Sequence, residues 1–152
     1  MISKQASILI IDDDAEIRYS LDRVLSTMGH RIISADSGEG GIKTAQKEKV
    51  DLIFLDNRME GISGIETLQH LRGAAPDSMV ILMTAYGTTQ TAIEAMKHGA
   101  FDYVLKPFDL KKLKDLVTRA LKAGRDSVSS EDAYEHLLNS SDYAEGIVGS
   151  GE

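Results

Sequence analysis

At 152 residues the chain suits one domain plus a tail, and an apolar content of 42% supplies a packed core and argues against global disorder. It has no cysteine, so disulfides, thiolate metal sites and a cysteine nucleophile are excluded; its apolar runs of about four residues fall far short of the roughly 20 a membrane span needs, and no long apolar stretch marks a secretory signal. The net charge of −7 is uneven: residues 1–124 hold 16 Lys and Arg against 17 Asp and Glu, residues 125–152 hold Arg125 against seven acids, and neither part has the basic stripe that binds nucleic acid.

Ile8 to Ile11 is a β-branched run without polar alternation, which predicts a strand buried on both faces. Ile17, Leu21, Val24, Leu25 and Met28 then recur at helical spacing behind Asp14, which reads as an N-cap. Arg31 to Ala35 is the second strand, and 38–48 a weaker helix containing Gly40 and Gly41. Leu52 to Leu55 is the third strand. Ser63 and Glu66 form a capping box ahead of Ile65, Leu68 and Leu71. Met79 to Met83 is the fourth strand, 88–98 a weak Ala- and Thr-rich helix, and Tyr103 to Leu105 the fifth strand. Leu110, Leu113, Val117 and Leu121 stripe the last helix, and Leu116 and Ala120 widen that stripe for either a core or a dimer contact. Strands alternating with helices every 20–25 residues or so predict an open, doubly wound parallel α/β sheet. After Gly124 the chain turns to six serines, three glycines and seven acids. It reads as a solvated linker, with Tyr134, Leu137 and Leu138 able to form one short helix.

Ligand sites in such sheets lie beyond the carboxyl ends of the strands. Asp12, Asp13 and Asp14 follow strand one, Asp56 strand three, Thr84 strand four, and Lys106 with Pro107 strand five. Clustered carboxylates raise one another's pKa unless a cation intervenes. Oxygen ligands without His or Cys select a hard ion such as Mg²⁺. A lysine, a hydroxyl and a metal together are what a phosphoryl group requires. Asp56 is then a metal ligand only, or a nucleophile that forms an aspartyl phosphate.

The segments Ile8-Leu9-Ile10-Ile11-Asp12-Asp13-Asp14, Leu55-Asp56-Asn57-Arg58-Met59, Met83-Thr84-Ala85 and Tyr103-Val104-Leu105-Lys106-Pro107-Phe108 resemble the receiver domain of two-component response regulators, over residues 6 to 123. The resemblance implies a flavodoxin-like five-stranded sheet of order 2-1-3-4-5. It implies Asp56 as phosphoacceptor, Asp13 as direct Mg²⁺ ligand, Asp12 as an acid acting mainly through water, and the Arg58 carbonyl as a further ligand. Thr84 and Lys106 would contact the phosphoryl oxygens, as would the backbone at Asn57 and Ala85. Thr84 and Tyr103 would form the switch, and the Lys106–Pro107 bond is typically cis in the family. Glu60 departs from the proline usual there.

Thr84-Ala85-Tyr86-Gly87 and Ala92 to Tyr103 resemble receivers of the enhancer-binding, nitrogen-regulatory type of activator, and Gly146-Ile147-Val148-Gly149 resembles the entry to their AAA+ ATPase domain. No ATPase phosphate-binding loop occurs here. The resemblance therefore implies a cytoplasmic switch: a receiver over 6–123 and an acidic linker over 124–152. A sensor histidine kinase, a homodimer, and ATPase and DNA-binding output domains in the parent chain would be its partners. Such a receiver catalyses only its own phosphorylation and dephosphorylation. The alternative is a stand-alone or phosphorelay receiver acting by protein–protein contact. A phosphohydrolase with an Asp nucleophile would need a second acid where Arg58 stands, and a cap for which the chain has no room.

Overall fold

Three of the five apolar runs are buried along nearly their whole length and two are not, and sheet order explains the division. The computed structural model describes residues 5–58, 61–85 and 89–138. Glu60, Tyr86, Gly87 and the stretch Gly146 to Gly149 lie outside them. In chain order the elements are β1 (Ser7–Ile11), α1 (Ala15–Thr27), β2 (Arg31–Ala35), α2 (Gly38–Lys47), β3 (Leu52–Asp56), α3 (Gly64–Ala74), β4 (Met79–Thr84), α4 (Thr89–Lys97), β5 (Asp102–Leu105) and α5 (Leu110–Leu138). The strands form one parallel sheet of order β2-β1-β3-β4-β5. β1, β3 and β4 lie inside it and are buried. β2 and β5 form its edges and are only partly covered, so the expectation of strands buried on both faces holds for the inner three alone.

Alternate residues of the inner strands feed two cores. Ile8, Ile10, Leu52, Phe54, Ile81 and Met83 pack with α1 and α5, while Leu9, Ile11, Ile53, Leu55, Val80 and Leu82 pack with α2, α3 and α4. Leu116 and Ala120 belong to the first core, which assigns them to the sheet contact and away from a dimer face. The two weaker helical signals both correspond to helices. In α2 the glycines that lower its propensity permit close packing: a Cβ on Gly41 would collide with Ile11, and one on Gly38 with Thr67 and Ile62.

Asp14 caps α1 by accepting from Glu16 N at 2.9 Å, and the Ser63–Glu66 capping box opens α3. Residues Met1–Leu121 form one compact unit and Lys122–Glu152 a second. The backbone of the second is helical through Leu138, well beyond the short helix expected near Tyr134. Adding residues to a formed helix needs only propagation, and a single interior Gly124 costs about 1 kcal/mol. Residues 139–152 lie outside the described part.

Candidate functional site

The register of a parallel sheet decides which side chains meet beyond its carboxyl edge. Ile11 pairs with Leu55, and Asp56 with Met83, so the residues following β1 and ending β3 emerge side by side. Ligand oxygens of Asp12, Asp13 and Asp56 all lie within 4.8 Å of one another. Asp12 and Asp56 are buried and Asp13 is exposed. Thr84 pairs with Leu105, and Lys106 N donates to Thr84 O at 2.9 Å, which brings the lysine alongside. Lys106 Nζ then donates to Asp12 Oδ2 at 3.0 Å and to Asp56 Oδ1 at 2.9 Å. The Lys106–Pro107 peptide is cis.

One ammonium serves two carboxylates, so the lysine gains twice while each acid has half a counter-charge. Burial pushes the Asp56 carboxyl above its ordinary value and the Asp12 charge adds to this; the bonds from Lys106 and from the Arg58 backbone N–H oppose the shift without cancelling it. Burial also disfavours the Lys106 ammonium, yet its bonds to Asp56 and Asp12 outweigh that and hold its pKa above the ordinary value.

Three carboxylates against one ammonium leave two negative charges in excess, the charge of one hard divalent cation. The donors are oxygens only, and Asp13 makes no hydrogen bond or ion pair among the described residues, so its carboxylate is available. The residues present fit Mg²⁺.

Thr84 is buried at the end of β4, and Ala85, next along, is exposed. Tyr103 pairs with Leu82 and packs partly buried against the α2–α3–α4 core, with β4 between its strand and the strand that ends in Asp56. Asn57 N–H donates to Met83 O at 2.8 Å. That amide is therefore committed to the sheet, and the backbone N–H that reaches the Asp56 carboxylate is that of Arg58. The Asn57 amide, expected from the sequence to contact a phosphoryl group, makes the last backbone bond between the end of β3 and β4 in this structure. The loop is held from below by α3. Gly64 N donates to Asn57 O at 3.2 Å, and a Cβ at Gly64 would lie 2.7 Å from Asp56 O. Sequence reading also missed Arg18, whose Nη1 donates to Asp12 O at 2.7 Å. Its position four residues after the N-cap Asp14, with helical side chains leaning toward the N-terminus, is the signal that marks it.

Comparison with known proteins agrees with this geometry. The response regulator receiver domain model matches residues 8–118. The transcriptional regulatory protein ZraR of Klebsiella oxytoca is 37% identical over 129 residues, covering 85% of this chain and 29% of its own length. The response regulator protein FleR of Pseudomonas aeruginosa is 39% identical over 114 residues, covering 75% of this chain and 24% of its own. The crystal structure of NtrX from Brucella abortus in complex with ADP superposes with a TM-score of 0.81 at 27% identity, covering 86% of this chain and 30% of that one. The chain thus spans less than a third of the length of these relatives. With its strand order, its acid cluster and its match over residues 8–118, the chain belongs to the response regulator receiver domain family and is similar to receivers of transcription regulators.

Proposed function

We propose that this receiver is a phosphorylation switch in which Asp56 accepts a phosphoryl group from a phosphohistidine of a sensor kinase. The observation that carries this reading is the contact of Lys106 Nζ with both Asp12 and Asp56 beside an open Asp13. An Asp56 oxygen bonds to phosphorus as the bond from phosphorus to the histidine nitrogen breaks. Bound Mg²⁺, held by Asp13, Asp56 and the Arg58 carbonyl, with Asp12 acting through water, would neutralise charge on the phosphoryl oxygens. Lys106 and Thr84 orient those oxygens, with the backbone of Arg58 and Ala85.

The aspartyl phosphate, with a charge near −2 where the carboxylate had −1, draws Thr84 inward and lets Tyr103 follow. Ile93 and Met96 on α4 and Leu105 at the end of β5 are each 48% exposed, which supports an apolar readout face there and self-association through it. Among the described residues no helix is long and apolar enough to cross a membrane, and we place the switch in the cytoplasm. Residues 6–123 act as the receiver and 124–152 as the linker toward ATPase and DNA-binding output domains. Intact mass after incubation with a small phosphodonor tests the reading. Wild type with Mg²⁺ should gain one phosphoryl group, and neither Asp56→Asn nor wild type in chelator should do so. Equal uptake by Asp56→Asn refutes the assignment.

A further inference from the structure

The peptide bond joining Asp12 to Asp13 links two of the three acids of the proposed cation site, and its orientation is set from α1. Asp12 N–H closes the sheet on Ala35 O at 3.1 Å, and beyond that rung the chain leaves the ladder. Three bonds then shape the turn. Asp14 N donates to Asp12 Oδ1 at 2.9 Å, Asp14 Oδ1 accepts from Glu16 N at 2.9 Å, and Arg18 Nη1 donates to Asp12 O at 2.7 Å. Arg18 is itself placed by its own N–H, which donates to Asp14 O at 3.1 Å within the first turn of α1.

A peptide unit is a rigid plane, so fixing the direction of its oxygen fixes the N–Cα bond of the next residue. That next residue is Asp13, whose exposed side chain has no hydrogen bond or ion pair of its own among the described residues. We propose that Arg18 is a positioning residue of the cation site: through the Asp12 carbonyl it holds Asp13 where its carboxylate converges with those of Asp12 and Asp56. The role rests on the reading of the site as a Mg²⁺ site.

A guanidinium beside an acid cluster has two opposed effects. Its charge repels an incoming cation, whereas its bond removes conformations in which Asp13 lies out of reach. Arg18 is partly exposed and its charge is screened by water. Groups that orient metal ligands, by contrast, change affinity by roughly 10–100-fold. The two effects predict opposite signs, which makes them separable.

The test uses the whole chain, with Mg²⁺ affinity read by isothermal titration for wild type, Arg18→Met and Arg18→Lys, and far-UV circular dichroism as the control for folding. Arg18→Lys keeps the charge and loses the planar fork. Positioning predicts that both variants bind Mg²⁺ about 10-fold more weakly than wild type. It also predicts, in metal-free protein, faster hydrogen exchange at the Asp14 amide in both. If Arg18→Met binds as tightly as wild type or more tightly, or if Asp14 exchange is unchanged, the role is overturned. A wild-type protein that binds no Mg²⁺ overturns the underlying reading and this role with it, whereas binding by wild type that both variants match overturns Arg18 alone.

Discussion

Aspartates stand at both ends of this sheet, and their partners differ. At the amino end Asp51 Oδ2 accepts from Ser7 N at 2.8 Å, and Ser78 Oγ donates to Val50 O at 2.5 Å. His30 Nδ1 accepts from Ala6 N at 3.1 Å. Each of these side chains closes a main-chain group at a strand start. At the carboxyl end Asp12 and Asp56 share the Lys106 ammonium, and the Asp13 side chain has no hydrogen bond or ion pair among the described residues. A carboxylate whose partner is a fixed strand amide finishes the fold. A carboxylate that, besides a turn amide, shares the tip of a long side chain keeps acceptor capacity for a ligand, at a cost in stability.

The comparison can be broken most sharply at Lys106. Lys106→Met leaves two buried acids facing each other, and urea unfolding without Mg²⁺ should show a loss of about 3 kcal/mol. Saturating Mg²⁺ should restore part of it, because an ion bound only by the folded state stabilises that state. At the amino end, Asp51→Ala strands the Ser7 amide and should cost about 1–2 kcal/mol. No added Mg²⁺ should repair that loss beyond the increment wild type itself shows.

The smallest effect has the opposite sign. The Asp56 carboxyl is raised above 3.8, chiefly by burial, so the folded state holds that proton more tightly than the unfolded chain does. Metal-free wild type should therefore lose stability as pH climbs from the ordinary aspartate range through the raised value. Asp56→Asn lacks this slope and should be more stable at neutral pH by about 1 kcal/mol, a margin that vanishes in acid. Thermal melts of both proteins across that pH range would show it, and parallel curves would contradict it.

The parallel α/β alternation and the acid cluster were legible because both follow from local signals: β-branched runs spaced by helical stripes, and polar residues placed directly after strands; the strand order came from the family resemblance alone. What stayed hidden depended on register or on contacts across the chain. The commitment of the Asn57 amide to Met83 O is a property of how β3 meets β4, and no residue pattern within 56–58 encodes it. Leu116 and Ala120 fit a core face and a dimer face equally well until α5 is laid on the sheet. The glycines of α2 look like poor helix formers in isolation and prove to be clearances for Ile11, Ile62 and Thr67. β2 and β5 carry apolar residues too, beside Arg31, Ser34 and Asp102, and their place at the sheet edges leaves them partly uncovered.

The central claim is that the carboxyl end, and not the amino end, is built to receive a divalent ion. Isothermal titration of Mg²⁺ into wild type, Asp13→Ala and Asp51→Ala tests it most directly. Wild type and Asp51→Ala should bind one ion with the same affinity, and Asp13→Ala should bind at least about 10-fold more weakly. An Asp13→Ala protein that keeps the wild-type affinity would contradict the account.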